Sequence, residues 1–260
     1  MRHHVLIALA LCVAAGNAEA TTIIAIRQPT FLEIAADSKV ITSSGRQLGP
    51  VCKIQVANNV YWAATGIGTA TGTGTSKFVH FSVDNTAAKD MSTDASLSVR
   101  IGKFERDIIR ILPPLLERVR RVEPDVFDAH FLGNKPAIGI VFATFAHGVP
   151  ELYELSFTLT TNAPSDAIAM KITGGDSPSA AFPQSIIATL GDHKAIDTQT
   201  DSNFSLSLVA PTPSVMRHLI ELEVSAMPGE VGPPIAIVMI DKDGAHWISQ
   251  GVCKPKYQKK

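Results

Sequence analysis

The stretch AEATTIIAIR, residues 18–27, decides the fold. Two small residues, Ala18 and Ala20, precede a pair of threonines and a run of β-branched residues. Because β-branched side chains suit extended backbone, residues 22–27 are predicted to form a strand. The residues before this strand have a different composition, so the junction between Ala20 and Thr21 is the first feature to interpret.

Residues 1–20 are typical of a secretory signal peptide. Arg2 supplies a positive start, and residues 5–16, VLIALALCVAAG, form an apolar run that is too short to span a bilayer as a helix. Ala18 and Ala20 form the A-x-A pattern that signal peptidase favours. We therefore predict cleavage after Ala20 and a secreted or periplasmic protein without a membrane segment after processing. The weaker alternative is a lipoprotein signal ending at Cys12.

The composition excludes several classes of protein. The 260 residues include 23 basic and 24 acidic side chains and are 45% hydrophobic. A balanced charge argues against a general nucleic-acid-binding protein, which needs a basic face. The length and apolar content favour a single domain over residues 21–252, followed by a solvated basic tail over 253–260.

The order of predicted elements favours an α+β fold. Strand blocks alternate with helical segments, which predicts a four-layer αββα sandwich of two packed, mainly antiparallel sheets with helices outside. Pro113 and Pro114 are expected to kink or break one of the helices. Residues 66–78, rich in glycine and threonine, are expected to be irregular. Strands are predicted at 22–27, 31–36, on both sides of an Asn58-Asn59 turn within 52–66, and at 137–146, 151–159, 167–175, 234–240 and 245–251, and helices at about 84–120, 181–190 and 213–227.

Common catalytic motifs are absent from the sequence. It has no G-x-S-x-G elbow, and no lysine closes the Gly66–Gly72 stretch into a phosphate-binding loop. The histidines are scattered without metal-ligand spacing, so no metal or other cofactor is predicted. Cys52 and Cys253 remain after leader removal, and in an oxidising compartment they either pair or stay as separate buried thiols.

Removal of the leader would give Thr21 chemistry that it otherwise lacks. A hydroxyl is a poor nucleophile at neutral pH and needs an adjacent base. A free α-amino group has a pKa of roughly 7.7–8.0, so a substantial part of it is neutral and can accept the hydroxyl proton. Cleavage before Thr21 would therefore place a nucleophile and its general base on one residue.

Four segments carry a resemblance to a known family. TTIIAIR (21–27), IAADSKV (34–40), CKI (52–54) and WAATGIG (62–68) resemble the start of proteasome β-type subunits and their bacterial relatives, the threonine peptidases of the N-terminal-nucleophile hydrolase superfamily. The aspartate lies 16 residues (37 − 21) and the lysine 32 residues (53 − 21) after the threonine, as in the family. The late hairpin IVMIDKDGAHWIS (237–249) is also similar to the family's final strand pair.

The resemblance implies the αββα fold and a set of site residues. Thr21 would be the nucleophile and, through its amine, the general base. Lys53 would lower the pKa of the hydroxyl, Asp37 would orient Lys53, and Gly66 would donate its N–H to the oxyanion. A peptide or unfolded protein segment would be the substrate, and the family's ring assemblies make a homo-oligomer one expectation. Positions that flank the family's substrate pocket match four uncharged residues, Val40, Val51, Gln55 and Ala64.

The sequence departs from the family at the residues that support the catalytic group. Gly174 or Gly175 falls where an assisting serine is usual, and Glu230 is the one acid near the place of a second supporting pair. Two alternatives therefore stay open beside a peptidase. One is another N-terminal-nucleophile amidase that acts on a small amide. The other is a non-catalytic relative that keeps the fold for binding or assembly.

Overall fold

The computed structural model describes residues 14–18, 21–41, 46–74, 77–132, 136–161, 167–176, 186–191, 193–202 and 213–254. The strands in these ranges are β1 Ala14–Ala18, β2 Thr22–Arg27, β3 Phe31–Ala36, β4 Ile54–Ala57, β5 Val60–Gly74, β6 Lys77–Ser82, β7 Pro136–Ala146, β8 Val149–Leu159, β9 Met170–Asp176, β10 Ile186–Gly191, β11 Ala236–Asp241 and β12 Gly244–Ser249. The helices are α1 Val83–Met91, α2 Leu97–Val122, α3 Pro124–Phe131, α4 Lys194–Ser202 and α5 Pro213–Ala226.

The strands form two antiparallel sheets. The seven-stranded sheet has the order β1-β5-β7-β8-β9, with β4 and β6 also paired to β5, and the five-stranded sheet has the order β10-β2-β3-β11-β12. Helices α1 to α3 share an apolar core with the first sheet, α4 and α5 share one with the second, and a third core lies between the sheets. The predicted α+β fold, a four-layer αββα sandwich, is confirmed.

Strand β2 shows why the apolar pattern alternates so poorly. Ile23 and Ala25 face the core between the sheets, whereas Ile24 and Ile26 face α4 and α5. Since both faces of the strand are covered, apolar residues are needed at odd and at even positions along it. Strands β2 and β3 have the predicted bounds, and the predicted turn at Asn58-Asn59 joins β4 to β5 with φ values of 44° and 60°.

Three sequence predictions about secondary structure are wrong. The Gly/Thr-rich residues 66–74 continue β5, and residues 77–78 begin β6, because the threonines suit a strand and a neighbour satisfies the backbone. Residues 186–190, predicted as helix, belong to β10, which pairs with β2. The break that the sequence allowed at Pro113 and Pro114 is absent, because the long apolar face of helix α2 packs on the sheet and offsets the lost backbone hydrogen bonds.

Residues on both sides of the predicted domain 21–252 contact its sheets. Ala14–Ala18 of the leader pairs with β5, so part of the predicted signal peptide lies in a sheet of the full-length chain. Cys253, placed by sequence in the tail, is 3% exposed in the core between the sheets. Within the described ranges, no helix has both the length and the apolar character needed to cross a membrane.

Glu33 is a buried carboxyl group that should make stability depend on pH. It lies in β3 opposite Ile26 and Met239, and is 1% exposed. Burial raises its pKa from 4.5 to about 7. Between these values the unfolded chain loses the proton while the folded chain keeps it, so the free energy of unfolding should fall by about 3 kcal/mol as the pH rises to 7 and above.

Urea unfolding at pH 5 and pH 8 measures this effect. Glu33→Gln should unfold at higher urea concentration than the unsubstituted protein at pH 8 and should lose this part of the pH dependence. Glu221→Gln is the matched control, because Glu221 is exposed on α5. An equal pH dependence in all three proteins would contradict the assignment to Glu33.

Candidate active site

Antiparallel pairing of β2 and β3 brings Thr21 and Asp37 together. Thr21 precedes the first residue of β2, and Asp37 follows the last residue of β3. Neighbouring antiparallel strands place the start of one beside the end of the next. The backbone N–H of Asp37 donates to the carbonyl of Thr22 at 3.2 Å, and the N–H of Thr22 donates to Asp37 Oδ1 at 3.0 Å. The two residues are thus adjacent although 16 positions (37 − 21) separate them.

Lys53 joins this pair from the other sheet. It precedes β4, and its Nζ donates to Thr21 Oγ1 at 2.8 Å and to Asp37 Oδ1 at 2.7 Å. Thr21 and Asp37 are 0% exposed and Lys53 is 7% exposed. The structure therefore brings together the three residues that the sequence nominated, as a buried chain from carboxylate to ammonium to hydroxyl.

The carboxylate of Asp37 is held by backbone donors as well as by Lys53. Its Oδ2 accepts from the N–H of Lys39 at 3.0 Å and from the N–H of Gly232 at 3.2 Å. Hydrogen bonds to a charged acceptor are stronger than those between neutral groups. These bonds fix both carboxylate oxygens, so Asp37 can hold the Lys53 ammonium in one position.

Gly66 occupies a position that only glycine fits. Its φ is +86°, and an added Cβ would lie 2.2 Å from the carbonyl oxygen of Ala137. Gly66 pairs with Ile138 of β7 and also with Ala18 of the leader strand β1. Because a residue pairs with two strands on its two sides, the leader lies along the side of β5 opposite β7.

Gly191, rather than Gly174 or Gly175, lies next to Thr21. Gly174 and Gly175 lie in β9 and pair with Leu155 and Glu154 of β8. Gly191 at the end of β10 abuts Thr21, since a Cβ there would lie 1.7 Å from the carbonyl oxygen of Thr21. The next residue, 192, is outside the described residues. The strand-to-glycine-to-helix pattern in IIATLGDHK (186–194) was the available signal, and the helix prediction for 181–190 hid it.

Three of the four predicted substrate-flanking residues, Val40, Val51 and Gln55, lie in the segments next to Asp37 and Lys53. Val51 is 45% exposed and Val40 is half-buried, and both belong to segments that meet through the N–H of Val51 and the carbonyl of Ser38 at 2.9 Å. Gln55 Nε2 donates to the carbonyl of Cys52 at 2.6 Å. Ala64 packs instead toward the helices on the outer face of the sheet.

A cavity of about 550 Å³ lies between the two glycines and was not predicted. Glu154, His193 and Glu230 are its ionisable lining residues, and Gly66 and Gly191 also border it. Burial raises the pKa of Glu154, and a Coulomb interaction with His193 opposes that rise. His193 Nδ1 lies 2.8 Å from Asp197 Oδ2. Glu230, which the sequence placed near the second supporting pair of the family, thus lines a cavity that also reaches Gly191 beside the Thr21 carbonyl.

A disulfide joins Cys52 to Cys253, with an S–S distance of 2.03 Å and a sequence separation of 201 residues. Cys52 directly precedes Lys53. Cys253 follows β12 and lies in the core between the sheets. The pairing requires an oxidising environment during folding.

Fold and site together define an αββα protein with a buried threonine–lysine–aspartate centre. No protein-family model matches the chain, and no curated protein matches it. Solved structures that resemble it include the Anbu (Gly-1) mutant from Hyphomicrobium sp. strain MC1, at TM-score 0.44 and 14% identity over 88% of this chain and 87% of that one. Anbu from the same strain aligns at TM-score 0.44 and 13% identity, over 88% and 85%. A likeness at this level assigns no activity and no residue role.

Proposed function

We propose that the chain is the precursor of an exported threonine-type peptidase whose nucleophile is Thr21, freed by signal peptidase after Ala20. The observation that carries the proposal is the position of Lys53 Nζ, 2.8 Å from Thr21 Oγ1 and 2.7 Å from Asp37 Oδ1. A buried ammonium held between a carboxylate and a hydroxyl is an arrangement that activates the hydroxyl.

The reaction proceeds through an acyl-enzyme. The α-amine of processed Thr21 takes the hydroxyl proton, directly or through a water, and Oγ1 attacks the carbonyl carbon of the scissile amide. The tetrahedral oxyanion accepts a hydrogen bond from the N–H of Gly66. Collapse breaks the C–N bond, and the α-ammonium returns the proton to the leaving amine. Water then attacks the ester, with the same amine as general base, and releases the acid and free Thr21.

Lys53 and Asp37 favour the charge that develops during the attack. A positive charge 2.8 Å from Oγ1 stabilises the alkoxide and also lowers the pKa of a nearby α-amine. Both effects are larger at a buried site, where the effective dielectric constant is lower than in water. Asp37 keeps the ammonium at this distance, because three backbone N–H groups hold its carboxylate.

The pairing of the leader suggests how an extended substrate would bind. Ala18 pairs with Gly66 on the side of β5 opposite β7. Once residues 1–20 are gone, that side of β5 is open to another extended chain, which would gain main-chain hydrogen bonds there. The uncharged residues Val40, Val51 and Gln55 favour an uncharged side chain beside the scissile bond.

Removal of the leader would be the activating step. In the full-length chain Thr21 has no free amine, and it is 0% exposed. Signal peptidase cuts during export, so activity would first appear in the secreted or periplasmic compartment. This order would keep the nucleophile inert in the compartment where the chain is made.

One feature also favours a second candidate, an amidase for a small amide. The cavity beside Gly66 and Gly191 has a volume of about 550 Å³, within the usual range for a small-molecule site. A panel of peptides and acyl amides, assayed on the processed protein, separates the two candidates through kcat/KM. Preference for amides of a few carbon atoms over extended peptides would favour the amidase.

Mass spectrometry of the exported protein tests the proposal. We expect an N-terminus at Thr21 and a single adduct on it after treatment with a peptide epoxyketone, a reagent that forms a ring with the hydroxyl and the amine of one residue. Thr21→Ala, processed at the same bond, should give no adduct. A different N-terminus, or no adduct on correctly processed Thr21, would overturn the assignment of the nucleophile.

A further inference from the structure

We propose that the disulfide between Cys52 and Cys253 positions Lys53 for the reaction at Thr21, so that the site works fully only in its oxidised form. The inference rests on the proposed function, because it concerns the same lysine. It assigns Cys52 and Cys253 as positioning residues that act through Lys53 and do not touch the substrate.

The segment that carries Lys53 has little regular structure to hold it. No helix or strand is assigned from residue 48 to 53, and β4 begins at Ile54. Two backbone hydrogen bonds tie the segment to its neighbour, from Leu48 N–H to the Val40 carbonyl and from Val51 N–H to the Ser38 carbonyl, both at 2.9 Å. A lysine side chain also has many rotamers, so the position of its Nζ depends on where the backbone is held.

The disulfide ties this segment to the rigid core. Cys253 is 3% exposed and packs in the core between the sheets with residues such as Ile54 and Ala236. Its own N–H donates to the carbonyl of Gln250 at 2.7 Å, which fixes the backbone after β12. Cys52 is thereby bonded to the core one residue before Lys53. The cross-link therefore joins the segment that follows β12 of the five-stranded sheet to the segment that precedes β4 of the other sheet.

Lys53 has little tolerance for displacement. Its ammonium must keep contacts of 2.8 Å with Thr21 Oγ1 and 2.7 Å with Asp37 Oδ1 at once. A displacement of about 1 Å at a catalytic group lowers the rate by about a hundredfold.

Reduction removes the covalent tie. A dithiol would convert the disulfide to two thiols and would itself be oxidised to a disulfide. The reduced segment 48–53 would then be held without its covalent tie.

The experiment compares the processed protein before and after reduction by dithiothreitol, together with Cys52→Ala, Cys253→Ala and the double variant. We expect kcat to fall by about a hundredfold with KM nearly unchanged, equally in all reduced and substituted forms. The acidic limb of the pH profile of kcat/KM should move to higher pH, because a displaced ammonium no longer lowers the pKa of the Thr21 amine. Reoxidation should restore both quantities in the reduced protein.

A control of similar stability separates positioning from general destabilisation. Leu116→Ala removes a side chain that is 1% exposed in the core under α2, away from Lys53. It should lower the Tm without moving the acidic limb. An unchanged kcat and acidic limb after reduction, or the same displacement of the limb in Leu116→Ala, would overturn the inference. If the cysteine variants do not fold, the folded protein reduced in place decides the result.

Failure of this inference can be distinguished from failure of the proposed function. If Thr21→Ala hydrolyses the substrates as fast as the unsubstituted protein, or if neither hydrolyses them, the proposed function fails. Crystal structures of the oxidised and reduced processed protein then decide the role of the disulfide. Retention of the 2.8 Å contact between Lys53 Nζ and Thr21 Oγ1 after reduction would overturn it, and a lengthened contact would support it.

Discussion

Replacement of Thr21 by alanine, or by valine of the same shape, is expected to lower kcat/KM of the processed protein by about 10⁴-fold or more. Both substitutions keep the α-amine and remove the oxygen that Lys53 contacts at 2.8 Å. The base and the cation remain, but no acyl-enzyme can form. The measurement is steady-state hydrolysis of the preferred substrate, with the N-terminus of each variant verified by mass spectrometry.

The matched control for this prediction is Thr21→Ser. It keeps the hydroxyl and the amine on one residue and loses a methyl group, so kcat/KM should stay within about tenfold of the unsubstituted protein. Equal activity in Thr21→Ala and in the unsubstituted protein would instead show that Thr21 is not the nucleophile. With no activity in either, a binding or assembly role would be the remaining explanation.

Asp37→Asn is expected to have the second largest effect, on stability and activity together. The variant removes the carboxylate charge that the Lys53 ammonium, 7% exposed, contacts at 2.7 Å. The new amide group also cannot accept all the backbone N–H groups that now point to the two oxygens. Loss of one member of a buried ion pair costs about 3–5 kcal/mol, so the urea midpoint should fall markedly. Hydrolysis should be lost because Lys53 is no longer oriented.

A double substitution separates the two consequences. Asp37→Asn combined with Lys53→Met removes both charges, and such replacement often restores stability. We therefore expect the double variant to regain part of the lost free energy of unfolding while hydrolysis stays absent. Recovered activity in the double variant would show that the ion pair between Lys53 and Asp37 is structural and takes no part in the reaction.

The sequence allowed much of the fold to be predicted where local pattern and tertiary environment agree. Strand β2 follows a run rich in β-branched residues, β3 follows a mainly apolar run, and the turn uses Asn58 and Asn59, which accept positive φ. Residues 66–74 and 186–190 were assigned wrongly, because their conformation depends on pairing with distant strands. Helix α2 continues through Pro113 and Pro114 for a similar reason, since contacts with the sheet outweigh the local preference.

The candidate site likewise has residues that the local sequence identifies and residues that only tertiary contacts identify. Offsets along the chain nominated Thr21, Asp37, Lys53 and Gly66, because the resemblance lies in one compact block of the sequence. The residues around them could not be identified in this way: Gly191 abuts Thr21, whereas Gly174 and Gly175 pair with β8. The cavity lined by Glu154, His193 and Glu230 combines four strands, one helix and two loops, so no short motif marks it.

The sequence by itself determined which groups this protein can use: a threonine behind a predicted signal peptide, an aspartate, a lysine and two cysteines outside residues 1–20. Tertiary structure decided that they meet. Antiparallel pairing placed Asp37 beside Thr21, packing of the second sheet brought the Lys53 ammonium to both, and the chain end returned Cys253 to Cys52. The physical reason is that side-chain chemistry is a local property, whereas hydrogen bonds of 2.7–2.8 Å between residues 16 and 32 positions apart exist only after both sheets have formed and packed.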